Sequence, residues 1–182
     1  MVSYITVQDN EIVELEDSTN CDWINVYPPF RHGELEYLAE LADIPIDFLT
    51  DSIDVDERSR YERDEDITLI LVNSPVLNDD SKENEAIYIT IPIGIILTSK
   101  YIITVCAKEN PVIEKFLENR VKLFNPADKP MFVIQIFEQI VYRYLEYLKK
   151  LNLRRNLIEQ ELYNSSRNSE LQQLLRIEKS LV

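Results

Sequence analysis

Glycine, histidine, cysteine and tryptophan are all scarce in this sequence of 182 residues. The two glycines, Gly33 and Gly94, are too few for a glycine-rich phosphate loop or for the dinucleotide-binding fingerprint. Cys21 and Cys106 lie far apart, and His32 is the single histidine, which excludes the usual structural zinc sites and a disulfide framework. Two isolated cysteines are typical of a protein from a reducing cytosol.

Long apolar runs are missing as well. The sequence contains no stretch of 18 consecutive apolar residues, and its N-terminus lacks the basic and then apolar segments of a secretory signal peptide. We therefore expect the polypeptide as given to be soluble. Apolar residues make up 45% of the chain, which is an ordinary share for a globular protein with a substantial core.

Negative charge dominates the first half of the chain. The formal net charge is −14, and residues 1–90 contain 23 acidic and five basic residues. Residues 91–182 contain ten acidic and 14 basic residues, so the imbalance does not extend to the second half. An acidic surface repels nucleic acid and anionic membranes and attracts cations. The simplest interpretation is a well-solvated surface, and cation binding is the functional alternative.

The acids are densest over residues 43–66, where ten Asp or Glu residues accompany three arginines. This segment begins with a helical pattern that buries one stripe and leaves three aspartates on wetter faces. The stripe consists of Ile46, Phe48, Leu49 and Ile53, and the aspartates are Asp47, Asp51 and Asp54. An acid-rich turn follows, and residues 68–72 then have the length and composition of a β-strand. A helix, a carboxylate-bearing turn and a strand are compatible with a cation site.

The order of elements along the chain is strands, helices, strands and again helices. Further strands are predicted at residues 3–7, 11–15, 22–27, 86–97 (one bent strand or two) and 101–106. Further helices are predicted at residues 33–42, 110–119, 131–163 and 171–181, with a polar turn at 164–166. The order predicts an α/β fold, namely a three-layer α/β/α sandwich with a mixed sheet followed by long helices. Trp23 is expected to anchor the core.

Three segments resemble the cytosolic domain of CorA-type divalent-cation transporters. They are Trp23-Ile24-Asn25-Val26, Ile44-Pro45, and the run LTDSIDVDERSRYE at residues 49–62 with the acids and the strand that follow it. The resemblance covers most of residues 20–106 well and the helical remainder loosely. The family's Gly-Met-Asn tripeptide and its two membrane helices do not occur in this sequence. We therefore expect a cytosolic α/β domain over residues 1–125 and a helical hairpin extension over 126–182, both belonging to a longer protein.

The resemblance implies a regulatory role without enzymatic activity. Domains of this kind sense intracellular Mg²⁺ at carboxylate sites between the subunits of a homopentamer, which transports Mg²⁺ or Co²⁺. Matched to the family motif, Asp51 is implied as a metal ligand, and Glu138 matches another acidic position. Thr50 replaces an acid that often precedes the motif aspartate, which argues against a second ion there. The partner carboxylate of Asp51 is expected beyond Val182, so this chain would hold half a site.

The same resemblance implies the ligands, the partners and the location of the protein. The ion is expected to bind weakly to the isolated chain, and no organic cofactor and no nucleic acid partner are expected. Contact with the cell membrane would run through segments absent from this sequence, with the domain on the cytoplasmic face.

Two other interpretations remain open. One is the cytosolic domain of a related zinc transporter, because those relatives share this domain. The other is an acidic protein-interaction module that docks through its amphipathic end. A hydrolase with paired carboxylates is disfavoured, because abundant acidic residues do not by themselves form a catalytic site. A nucleophilic triad would need His32, which lies in a proline-rich turn.

Overall fold

Seven strands form one mixed sheet in the computed structural model, which describes residues 1–79, 85–164 and 168–181. The strands are β1 (Val2–Gln8), β2 (Glu11–Leu15), β3 (Trp23–Val26), β4 (Arg60–Asp64), β5 (Ile67–Leu77), β6 (Tyr88–Leu97) and β7 (Ile102–Cys106). The helices are α1 (Glu34–Ala42), α2 (Ile46–Ile53), α3 (Pro111–Leu117), α4 (Lys129–Asn164) and α5 (Asn168–Lys179). The strand order is β2-β1-β3-β7-β6-β5-β4, with β3 and β7 parallel and β1 antiparallel to both β2 and β3. The predicted mixed sheet is confirmed.

The chain divides into two compact units. The first comprises Met1–Ser74 and Ile91–Gln139, and the second comprises Pro75–Thr90 and Ile140–Val182. Strands β5 and β6 and helix α4 each contribute residues to both units. The domain boundary expected near residue 125 stays a prediction, and residues 165–166 of the predicted polar turn lie outside the described residues.

Local signals in the sequence account for several element boundaries. Asp9 and Asn10 both have positive φ, of 52° and 64°, which is the two-residue turn that joins antiparallel strands with the natural twist. Asn110 caps α3 by accepting a hydrogen bond from the Val112 backbone N–H at 2.9 Å, and Pro111 occupies the first helical position. Strand β6 is a single strand, which decides between the two alternatives left open for residues 86–97.

One face of the sheet packs against α1 and α2. Leu38 and Ala42 of α1 and Phe48 and Leu49 of α2 belong to the same buried cluster as Ile24 of β3. Neighbouring residues of a strand point to opposite faces of the sheet, so Ile24 marks the α1–α2 face and Trp23 marks the other.

The opposite face carries an aromatic cluster. Trp23 is fully buried, and its ring meets the rings of Phe124 and Phe132 edge-on, with centroids 5.7 and 5.0 Å apart. Phe116 of α3 contacts the same two phenylalanines. Helix α3 and the start of α4 therefore cover this face, and the expected three-layer arrangement and the core role of Trp23 are confirmed.

The second unit has a small core of its own. Leu151 and Ile158 of α4 pack with Ile177 of α5 and with Ile87, so α5 folds back along α4. The rings of Tyr88 and Tyr147 stack with centroids 4.1 Å apart. Although α4 is 36 residues long, no helix in the described part of the chain has the length and hydropathy needed to cross a bilayer.

Candidate functional site

The acid-rich segment folds as α2, a turn and the edge strand β4. Residues 60–64 pair antiparallel with β5, placing Arg60 opposite Leu71 and Asp64 opposite Ile67. The turn predicted for these residues is therefore wrong. The side chains of β4 are charged or exposed, so their own pattern gives no strand signal, and the pairing depends on the apolar neighbour β5. A charged edge strand also resists pairing with other chains.

Helix α2 buries a narrower stripe than the sequence indicated. Phe48, Leu49 and Ser52 are buried, whereas Ile46 is 37% exposed and does not belong to the stripe as predicted. The reason is helical geometry, since two positions along a helix differ by about 200° and Ile46 therefore points away from Phe48. Asp51 lies beside the buried stripe and is half-buried.

A close contact between Ser52 and Gly94 positions α2 on the sheet. A Cβ atom placed on Gly94 would lie 2.4 Å from Ser52 Cβ and closer still to its hydroxyl oxygen, so the helix rests directly on the bare backbone of β6. Ser52 Oγ donates a hydrogen bond to the Phe48 carbonyl at 2.5 Å, one turn back in the same helix. Because Asp51 precedes Ser52 in this helix, the contact with Gly94 also positions the Asp51 carboxylate.

Arg60 holds the Asp51 carboxylate. One guanidinium nitrogen of Arg60 lies 2.5 Å from Asp51 Oδ2, and two others lie 2.8 Å from Glu57 and 3.2 Å from Glu62. Burial lowers the pKa of Arg60, but the hydrogen bonds that it donates to Asp51 and Glu62 and the charge of Glu57 outweigh this effect, so the pKa is raised overall. The side chains of Asp51 and Arg60 are 34% and 30% exposed, which leaves the pair within reach of ions in solution.

An open groove surrounds this ion pair. Its charged lining consists of Asp47, Asp51, Glu62 and Asp64 together with Arg60 and Arg63. Arg63 lies 3.9 Å from Asp66 and donates a hydrogen bond to the Glu65 carbonyl. Acids outnumber bases in the lining, yet the described residues contain no group of three or more His, Cys, Asp or Glu side chains placed to hold a metal ion. A partly hydrated Mg²⁺ takes only one or two carboxylates, so a group of three is not required for it to bind in this groove.

Glu138, the second predicted ligand, lies elsewhere in the first unit. It is exposed on α4, which covers the Trp23 face, whereas Asp51 belongs to α2 on the Ile24 face. One copy of the chain therefore does not bring the two carboxylates together. Ile134, one turn before Glu138, is 60% exposed and Phe137 is 40% exposed, so Glu138 lies on an apolar part of the surface.

Sequence reasoning did not identify Arg60 or Ser52 as parts of this site. Arg60 is nine residues from Asp51 in a segment that was assigned to a turn, and Ser52 lies on the polar side of the expected stripe. Recognising β4 as a strand would have placed Arg60 and Glu62 on the same face, because alternate residues of a strand share a face.

Several solved structures have a similar fold. The soluble domain of CorA from Methanocaldococcus jannaschii matches all of this chain and 72% of its own, with 19% identity and a TM-score of 0.81. The complete CorA magnesium transporter from the same organism matches all of this chain with 21% identity and a TM-score of 0.82, and this chain spans 57% of its length. The ZntB cytoplasmic domain from Vibrio parahaemolyticus RIMD 2210633 matches 86% of this chain and 64% of its own, with 14% identity and a TM-score of 0.64.

Identities this low show a shared fold and leave the family to be decided by sequence. No curated protein is similar enough in sequence to count as a match. The CorA family model, described as a CorA-like Mg2+ transporter protein, matches residues 18–182. Because that match covers nearly the whole chain, the chain belongs to the family of CorA-like Mg²⁺ transporter proteins.

Proposed function

We propose that this chain is the cytosolic regulatory domain of a divalent-cation transporter, and that it senses intracellular Mg²⁺ through Asp51. The transported ion is Mg²⁺ or Co²⁺, and the domain lies at the cytoplasmic face of the membrane. The observation that carries the proposal is the Asp51 carboxylate at the rim of an acidic groove in a member of the CorA-like family. Asp51 pairs with Arg60 in the free chain, and the pair is partly exposed, so an ion arriving from solution can compete with Arg60 for the carboxylate.

The sensing site closes only when two subunits meet. Within the described residues, Asp51 belongs to no group of three or more side chains placed to hold a metal ion, and a hydrated Mg²⁺ gains little from a few exposed ligands. We therefore assign the remaining ligands to a neighbouring subunit. Millimolar or weaker binding of Mg²⁺ is expected for the isolated chain, comparable to the weakest calcium modules.

Assembly as a homopentamer is part of the proposal. The exposed apolar side chains on α4 support it, because large apolar side chains grouped on a surface mark contact sites between proteins. In the first unit these side chains are Ile134 and Phe137, which flank Glu138. In the second unit Val141 and Leu145 are 52% and 58% exposed. Glu138 is proposed to lie at this contact between subunits.

Replacing Asp51 by alanine in the full-length transporter should weaken the inhibition of flux by intracellular Mg²⁺. The change removes the proposed ligand and leaves the buried stripe of α2 intact. Flux would be measured over a series of internal Mg²⁺ concentrations, and again with Co²⁺ and Zn²⁺ to identify the effective ion. Asp47→Ala is the matched control, since Asp47 lines the same groove on the same helix without matching the family motif. An Asp51→Ala transporter with unchanged Mg²⁺ inhibition removes Asp51 from the mechanism.

Replacing Arg60 by glutamine should tighten the weak binding of Mg²⁺ to the isolated chain. A positive charge next to a carboxylate attracts it by about 1 kcal/mol in water, and Mg²⁺ must overcome this attraction to bind. Removing the charge is therefore expected to lower the apparent Kd for Mg²⁺ about fivefold or less. Titration followed by NMR signals of the Asp51 and Glu62 amides measures this. Arg63→Gln removes the same charge from the same groove but does not free Asp51, because Arg63 lies near Asp66. Equal effects of the two variants would mean that Arg60 acts only through the overall electrostatic potential of the groove and not through its contact with Asp51.

A further inference from the structure

The segments that follow the adjacent parallel strands β3 and β7 lead to opposite faces of the sheet. The segment after β3 leads to α1, whose Leu38 packs on the Ile24 face. The segment after β7 leads to α3, whose Phe116 packs on the Trp23 face through Phe124 and Phe132. In open α/β sheets, the crevice outside the carboxyl ends of two strands whose connections diverge in this way is the place where ligands bind.

A crevice exists at that position, within the first unit. Its apolar wall consists of Cys106 at the end of β7 and Ile113 and Leu117 of α3, and Tyr27 follows the end of β3. The thiol of Cys106 is a neutral part of this wall, because burial raises its pKa to about 12. None of the residues that line the crevice lines the Asp51 groove, so the two sites are separate.

A buried amide in the crevice lacks a hydrogen-bond partner. Asn110 is 3% exposed, and among the described residues nothing accepts a hydrogen bond from its Nδ2. A flip that exchanges Oδ1 and Nδ2 of this amide is excluded, because Oδ1 accepts hydrogen bonds from the Val112 backbone N–H at 2.9 Å and from Ser74 Oγ at 3.4 Å. Buried polar groups in native proteins are nearly always satisfied, so an unpaired donor beside a crevice indicates that something from outside the chain pairs with it.

A second asparagine lines the same crevice. Asn25 is 3% exposed, and its Oδ1 accepts from Thr104 Oγ1 at 2.8 Å. Thr104 Oγ1 in turn accepts from Trp23 Nε1 at 2.8 Å, which fixes the direction of the chain of hydrogen bonds. This arrangement occupies the oxygen of Asn25 and leaves its Nδ2 as a second amide donor on the crevice wall.

We propose that this crevice binds a small organic molecule without negative charge, with an apolar body and a carbonyl or ring-nitrogen acceptor, which pairs with Asn110 Nδ2. The acceptor is required by the donor groups, and the apolar body by the wall formed by Ile113 and Leu117. The absence of negative charge follows from the rim, where Glu109 and Glu114 outnumber Lys108, and from the acidic first half of the chain, which repels anions. This site is additional to the cation site and does not depend on it.

Binding of nicotinamide, compared with benzoate, tests the proposal. The two compounds have similar size, and benzoate carries the negative charge that the crevice should reject. Titration of the isotope-labelled chain should give saturable shifts of the Asn110 side-chain NH₂ signals and of the Ile113 and Glu114 backbone amide signals with nicotinamide, and much weaker shifts with benzoate. The two backbone amides also report binding in the variants. Asn110→Asp should weaken nicotinamide binding about tenfold, because it removes one hydrogen-bond donor. That variant retains the cap of α3, since aspartate accepts the same two hydrogen bonds.

A second variant tests the apolar wall. Leu117→Trp fills the crevice from α3 and should abolish the shifts, while the amide spectrum of the remaining residues stays dispersed. Shifts that do not saturate, or that persist unchanged in Asn110→Asp, would overturn the proposal. So would a crystal soaked in nicotinamide in which only a water molecule lies on Asn110 Nδ2, because the donor would then be satisfied by solvent alone.

Discussion

Gly94→Ala is expected to destabilise the first unit by about 3 kcal/mol, although the change adds a single methyl group. The new Cβ would lie 1.9 Å from Ser52 Oγ and 2.4 Å from Ser52 Cβ. Rotation of the serine side chain can move the hydroxyl away, but the Cβ atom is fixed by the helix backbone. Helix α2 must therefore shift off the sheet, which opens the buried contacts of Phe48 and Leu49. Urea unfolding followed by the fluorescence of Trp23, the one tryptophan of the chain, measures the loss.

A second substitution should restore part of that stability. Ser52→Gly removes both clashing atoms, and the next nearest atom, Ser52 Cα, lies at an ordinary contact distance of 3.5 Å. On its own, Ser52→Gly is expected to cost about 1 kcal/mol, because glycine is unfavourable inside a helix. The double variant should nevertheless be more stable than Gly94→Ala alone. Additive free energies in this double-mutant cycle would disprove the contact between α2 and β6.

Gly33→Ala provides the matched control for Gly94→Ala. Gly33 has a φ of 76° and no atom within 4 Å of an added Cβ, so alanine there meets backbone strain without a clash. We expect a loss of about 1 kcal/mol at Gly33, clearly smaller than the loss at Gly94. Equal losses at the two glycines would show that backbone conformation, and not the approach of Ser52, governs the effect.

The parts of the fold that could be predicted from the sequence are those determined by short-range chemistry. The turn at Asp9 and Asn10, the cap at Asn110 and the apolar strand around residues 68–72 depend on the preferences of neighbouring residues, and all three are confirmed. The mixed sheet also follows from the order of the elements. Burial of Trp23 follows from its size and apolar surface.

The contacts that form the candidate site depend on residues far apart in the chain, and sequence patterns do not specify them. Gly94 and Ser52 are 42 positions apart, and only the packed structure shows that the glycine is needed to admit the serine. Strand β4 is charged and exposed, so its pairing is decided by β5. The link from Arg60 to Asp51 follows from that pairing. The family motif predicted Asp51, but not the side chain that holds it, and its role as a metal ligand stays a prediction.

Trp23→Ala is expected to destabilise the first unit by about 4 kcal/mol, which is a large part of the stability of a typical domain. The indole belongs to β3, an inner strand of the sheet, where it is fully buried and contacts Phe124 and Phe132. Its removal leaves a cavity between the sheet and α4. It also leaves Thr104 Oγ1 without its donor, although Asn25 still accepts from this hydroxyl. Far-UV circular dichroism in urea measures the loss, since this variant contains no tryptophan.

The contributions of packing and hydrogen bonding to this loss can be separated. Trp23→Phe retains most of the apolar volume and removes the Nε1 donor, so it should lose less stability than Trp23→Ala. Thr104→Val retains the shape of residue 104 but leaves both Trp23 Nε1 and Asn25 Oδ1 unpaired inside the core, at about 1–3 kcal/mol for each group. Thr104→Ser keeps both hydrogen bonds and should be the milder change. If Thr104→Val is as stable as the unchanged chain, the hydrogen bonds contribute nothing and packing alone anchors Trp23.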